Sequence, residues 1–262
     1  MLDALASTGP RVAVSLTPHS IYAVSETTLV WVGGAAASRD LPVQIHFMEV
    51  ESETRGSLER TGERPSTYLD RVGVLGPDTV LAHGVWMEDV DLDLVAERGA
   101  TVVTNPVSNL KLAVGRIFPY AAARARGIPI GLGTDGASSN NSLDLISDVK
   151  FLALLQKHAD DDPATLPATE AWDVVTGARA PILGGRPLAV GSPADFLLVR
   201  TDRSELGPGN LIANLVYAAS GAVVDVTVVD GDVLMRGGVV AGEPEVWAKV
   251  AESARRLGVL DD

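Results

Sequence analysis

Five residues in this chain have the types and settings from which a hydrolytic site is built. Asp135 stands in Leu132-Gly-Thr-Asp-Gly-Ala-Ser-Ser-Asn-Asn141, where a short apolar run gives way to a polar loop. A carboxylate at the end of a buried strand is costly unless it is paired or bound to a metal. Another reading of Asp135 is a helix cap in a βα turn. His46 and Glu49 lie three apart in His-Phe-Met-Glu, and His83 closes Thr79-Val-Leu-Ala-His83. His19, in Pro-His-Ser-Ile-Tyr22, follows a first apolar segment. Imidazoles and carboxylates are the groups that bind divalent metals and move protons near neutral pH. A lone strand-end histidine is more often structural; three of them with Asp and Glu in equivalent settings make a site.

The elements that must carry these residues alternate. Apolar runs at 11–16, 41–46, 78–83, 101–106 and 128–133 are short and bounded by turn residues, which predicts buried strands. Helices are expected from Ser25 as a cap, over 66–71, over 87–98 with Val90, Leu94 and Val95 on its apolar face, and ending near Gly127. Ser108-Asn-Leu-Lys-Leu112 reads as a polar loop, and Glu51, Glu53, Glu59 and Glu63 read as a solvated face. The βαβα order implies a parallel sheet covered by helices. Each strand then ends on a polar group: His19, His46, His83, Asn105 and Asp135. The carboxyl ends of parallel strands are where α/β folds place their chemistry. His158, the fourth histidine, is expected on an exposed helix surface.

After Thr169 the pattern changes. A helix is expected over 170–180, a strand at the end of Gly191-Ser-Pro-Ala-Asp-Phe-Leu-Leu-Val199, and a hairpin turning at Asp230-Gly231. A terminal helix over 245–257 completes this part. The reading is an α/β unit over 1–182 and a small β appendage with a terminal helix over 183–262.

Composition narrows the function classes. The 262 residues are 46% hydrophobic and 21% charged, with net charge −13, which argues against nucleic-acid or anionic-membrane partners. The chain has no cysteine, which excludes disulfides, thiolate metal sites and cysteine nucleophiles. No apolar run reaches the ~18 residues that span a bilayer. Met1-Leu-Asp-Ala-Leu5 has neither a basic region nor an apolar signal core, so a cytoplasmic protein is expected.

Taken in order, Pro18-His-Ser-Ile-Tyr22, His46-Phe-Met-Glu49, Ala82-His-Gly-Val85, Asn105-Pro-Val-Ser-Asn-Leu-Lys-Leu112 and Leu132–Asn141 resemble the amidohydrolase superfamily. The branch is that of the nucleobase deaminases and chlorohydrolases, with 5′-methylthioadenosine/S-adenosylhomocysteine deaminases as the nearest pattern. The resemblance implies a TIM-type (β/α) barrel with a β domain, and hydrolytic deamination of an adenosine-derived nucleobase substrate. It implies that His46 and Asp135 bind a divalent metal, zinc foremost and iron as the alternative. By the same resemblance Glu49 carries protons to the ring and the leaving amine, His83 polarises the attacking water, Asp135 accepts its proton, and His19 and Ser139 touch substrate alongside Glu49. Asn105 receives no role.

The family also opens its barrel with a metal-binding His-x-His pair, and this chain contains none. The resemblance therefore covers about the fourth to eighth strands, a partial barrel. Two remaining ligands imply weak metal binding and little activity for the chain alone. A homo-oligomer or a missing N-terminal half is expected to cover the open barrel. Guanine-, cytosine- or triazine-type hydrolysis, or a non-catalytic remnant of the same fold, are the other readings.

Overall fold

In a computed structural model, residues 12–259 are described. In chain order the elements are α1 (Glu26–Arg39), β1 (Val43–Phe47), α2 (Glu51–Thr61), α3 (Pro65–Arg71), β2 (Thr79–His83), α4 (Asp89–Arg98), β3 (Thr101–Thr104), α5 (Pro106–Lys111), α6 (Tyr120–Ala125), β4 (Ile130–Leu132), α7 (Ala137–Asn140), α8 (Leu145–Asp160), α9 (Ala168–Val175), β5 (Phe196–Val199), α10 (Leu211–Tyr217), β6 (Val224–Val229), β7 (Asp232–Arg236), β8 (Val239–Val240) and α11 (Glu243–Arg256). No described helix is long and apolar enough to cross a membrane.

Strands β1 to β4 form one parallel sheet in sequential order, with helices between them. Val43, Ile45 and Phe47 point into the core with Leu29, Leu81, Val102 and Leu152. Gln44 and His46 alternate to the other face, where Gln44 is exposed and His46 half-buried. Helices and core thus press on one side of β1, and its other side is open. Strands β5 to β8 make a separate antiparallel sheet. Asp230 (φ 50°) and Gly231 (φ 81°) turn its central hairpin, as expected of Asp-Gly.

Several expectations change on contact with the structure. The first strand reduces to one parallel bridge: Leu16 N–H donates to Pro42 O and Leu16 O accepts from Gln44 N–H, both at 2.9 Å. Val12 is half exposed and has no core to hold it to the sheet; Arg11 lies outside the described residues. Residues 108–111 are helical rather than looped, because Pro106 at the first helical turn starts α5. Val95 is buried and Leu94 packs against the core, as expected, but Val90 is exposed and Leu92 takes its place in holding α4 to the core. Helix α9 stops at Val175, short of Ala180. Glu53 is buried and does not belong to the solvated face. His158 is exposed, as expected.

Buried Asp91 ties α3 to α4. It accepts from Arg64 Nε at 3.0 Å, Arg64 Nη2 at 2.5 Å and Ser66 Oγ at 2.6 Å, and it closes the capping box with Glu88 N–H at 3.0 Å. Replacing Asp91 with alanine takes the acceptor from Ser66 and from Glu88 N–H, while Arg64 keeps Glu88 at 3.1 Å, and is expected to cost about 2–3 kcal/mol. Urea unfolding measures it; a loss under about 1 kcal/mol, the range of an exposed pair, contradicts this account of how the helices are joined.

Candidate metal centre

His46, His83 and Asp135 come together at the carboxyl ends of β1, β2 and β4. One ligand-capable atom from each lies within 4.8 Å of the others, a group that could hold a metal ion. Parallel pairing sets the levels: His46 is opposite Ala82, and Phe47 opposite His83. The rings of His46 and His83 stack with centroids 5.6 Å apart at 21°. His19 joins from the preceding loop, its ring centroid 4.6 Å from that of His46. The backbone at the strand ends is bent to make this convergence: Met48, His83 and Asp135 all have positive φ (48°, 78° and 61°). Left-handed backbone at non-glycine residues is held only where surrounding contacts fix it, and it clusters at functional sites.

Hydrogen bonds fix the ligand atoms. His46 Nδ1 lies 2.7 Å from His19 O, which can only accept, so Nδ1 is the donor, and in the neutral ring Nε2 keeps its lone pair. His83 is fully buried; its Nδ1 lies 2.8 Å from Asn109 Oδ1 and 3.3 Å from Asn105 Nδ2, and its Nε2 has no partner. Asp135 does not cap α7, whose cap position is taken by Gly136. Its Oδ2 accepts instead from Ser108 Oγ and Ser139 Oγ, both at 2.7 Å. Burial works to raise the Asp135 pKa, but the Ser108 and Ser139 hydroxyls, the Gly136 N–H and nearby His83 outweigh it and hold it below the ordinary value. An anionic carboxylate, two imidazoles and an orphaned buried nitrogen suit a divalent ion such as zinc.

The loop that carries Asp135 is anchored from below. Buried Asn140 donates through Nδ2 to Thr134 O at 2.8 Å and to Asp148 Oδ2 at 2.7 Å. Lys111 Nζ reaches Ser138 O at 2.8 Å and also Asn141 Oδ1, which joins α5 to α7. Gly133 is needed for close approach: a Cβ there would come within 2.3 Å of Asn105 Oδ1. Glu49 is half-buried just past β1, and its N–H donates to Glu53 Oε2 at 3.2 Å. Ser139, expected to touch substrate, directs its hydroxyl to Asp135 and to Gly136 O at 2.9 Å. Ser108, Asn109, Asn140 and Glu53 had no role in the sequence reading. The Pro106 helix start was the available signal for the first two, since it places Ser108 and Asn109 on a fixed helical turn beneath the strand ends.

A profile of the amidohydrolase family matches residues 3–234. The chain belongs to the amidohydrolase family. Among this amidohydrolase's relatives, a 5′-deoxyadenosine deaminase of Methanoregula boonei is 42% identical over 94% of this chain and 57% of its own length. A 5-methylthioadenosine/S-adenosylhomocysteine deaminase of Archaeoglobus fulgidus is 37% identical over 93% of this chain and 59% of its own. The chain thus spans about half the length of the curated relatives it matches. A solved adenosine deaminase from Xanthomonas campestris with bound zinc superposes with TM-score 0.90 at 30% identity, over 97% of this chain and 59% of that one. An atrazine chlorohydrolase from Arthrobacter aurescens complexed with zinc shares the fold, at TM-score 0.85 and 23% identity.

Glu53 titrates against the site wall. Burial pushes its carboxyl up from 4.5 to about 7, against the opposing N–H groups of Met48 and Glu49. A raised folded pKa means the stability is fully present below the unfolded value of 4.5 and lost as pH climbs to about 7. The loss amounts to about 3 kcal/mol. Urea midpoints of the parent and Glu53→Gln between these limits are expected to diverge, the variant showing the flatter curve. Parallel curves contradict the burial of Glu53.

Proposed function

We propose that this chain carries the metal-binding and proton-handling part of a hydrolytic deaminase for an adenosine-derived nucleoside, built as about the last five strands of a (β/α) barrel. The observation that carries the reading is the convergence of His46, His83 and Asp135 within 4.8 Å at one end of the sheet. The names of the relatives support the adenosine-derived substrate class, and the zinc in the solved neighbour supports the metal. Iron is the alternative ion.

His46 and Asp135 would hold the ion, with His83 beside them. The sequence reading expected these two ligands; His83 lies close enough to join them, and the family's His-x-His pair would have to come from outside this chain. The bound ion supplies a water of lowered pKa at neutral pH. Deamination adds water at the carbon bearing the amino group, protonates a ring nitrogen, and expels ammonia to leave a carbonyl. Glu49 would give the ring nitrogen its proton, pass the added hydroxyl's proton to the departing amine, and be reloaded by the proton that Asp135 takes from the water. Asp135 takes a proton from the attacking water, and His83 orients that water. His19 and Ser139 would touch the substrate.

The open face of β1 and the single-neighbour edge of β4 would be covered by a second copy or by an N-terminal half supplying the absent His-x-His. Sedimentation is expected to show an associated species rather than a well-behaved monomer; a monomer with a cooperative melt contradicts this.

The chain alone is expected to bind zinc weakly and to release no measurable ammonia from 5′-deoxyadenosine or its methylthio analogue. Titration with zinc and a competing chelator tests the site. His46→Ala and Asp135→Asn are each expected to weaken binding by more than the roughly tenfold loss of an outer partner. Binding unchanged in both variants contradicts the proposed ligands.

A further inference from the structure

We propose that Asn109 is a positioning residue that fixes His83 as its Nδ1–H tautomer, so that Nε2 faces the metal cleft as an electron-pair donor. The inference deepens the metal-site reading, and part of its test does not depend on that reading.

Two amides contest His83 Nδ1, and they demand opposite tautomers. Asn109 Oδ1, at 2.8 Å, is an acceptor and requires a proton on Nδ1; Asn105 Nδ2, at 3.3 Å, is a donor and requires a bare nitrogen. The shorter contact wins. The far side of the ring agrees: Nε2 is buried with no partner, and a proton there would be a donor with nothing to receive it. With Nδ1 engaged by Asn109, a bare Nε2 is the ring nitrogen left to serve in the group of His46, His83 and Asp135, whose ligand-capable atoms lie within 4.8 Å of one another. His46 is arranged in the same way by a different acceptor, His19 O at 2.7 Å on Nδ1. The two rings lie stacked, with centroids 5.6 Å apart at 21°. Helix α5 holds Asn109 with its N–H on Asn105 O at 2.9 Å, and Asn109 is itself buried. An outer hydrogen bond of this kind orients a metal-binding imidazole and raises its basicity.

The decisive measurement is the ¹⁵N shifts of the His83 ring in the metal-free chain at mildly alkaline pH, assigned by substitution among its four histidines. A protonated Nδ1 and a bare Nε2 are expected; a protonated Nε2 overturns the proposal. Three variants separate positioning from packing. Asn109→Leu fills the space without an acceptor and is expected to lose the tautomer and roughly 10–100-fold in zinc affinity. Asn109→Asp keeps an acceptor and is expected to retain both. Asn105→Ala is expected to leave the shifts as they are. A leucine variant that matches the parent in shifts and affinity means Asn109 only packs, and the proposal falls. If the parent takes up no zinc, the metal reading fails, and the nitrogen shifts alone decide for or against Asn109.

Discussion

Backbone hydrogen bonding between parallel strands in fixed register is the constraint on which the site depends. A slip of one residue would turn His46 from the open face into the core and put Phe47 in its place. The register holds because Val43, Ile45 and Phe47 are packed on one side, leaving Gln44 and His46 the other. From β2 the chain leaves through His83 in a left-handed conformation, and after β4 it does the same at Asp135. Each turn lifts a side chain toward the common end of the sheet. Packing of the covered face thus sets where the ionisable groups stand.

A second layer decides which atoms of those groups are available. His19 O, Asn109, Ser108 and Ser139 each occupy one atom of a site residue. What remains is Nε2 on both rings and the rest of the Asp135 carboxylate. Asn140 and Asp148 underpin the loop of Asp135, and Glu53 underpins the turn of Glu49. The site is thus supported by buried polar groups: Asn105, Ser108, Asn109, Asn140 and Asp148 are all buried around it.

How much of this was legible in the sequence follows from the range of each signal. Strands ending on His46, His83 and Asp135 are written in local pattern, an apolar run broken by an ionisable residue. The Asp230-Gly231 hairpin and the Ser25 cap are equally local, and both stand in the structure. Glu53 was misread because its burial comes from how α2 lies on the sheet, not from its neighbours in the chain. Asn109 escaped notice because its partner is 26 residues away. The Arg11–Leu16 run has the composition of a strand, yet among its described residues only Leu16 forms a bridge. The roles of Glu49, His19 and Ser139 came from resemblance rather than residue pattern, and the structure adds to Ser139 a bond to Asp135.

The claim that the three strand ends form one metal centre is tested most directly by zinc anomalous scattering from crystals of this chain. With zinc supplied in excess, the account expects the main peak within coordinating distance, ~2.0–2.2 Å, of imidazole nitrogens of His46 and His83 and an oxygen of Asp135. Peaks only along the acidic surface of α2, with none between the strand ends, would contradict it.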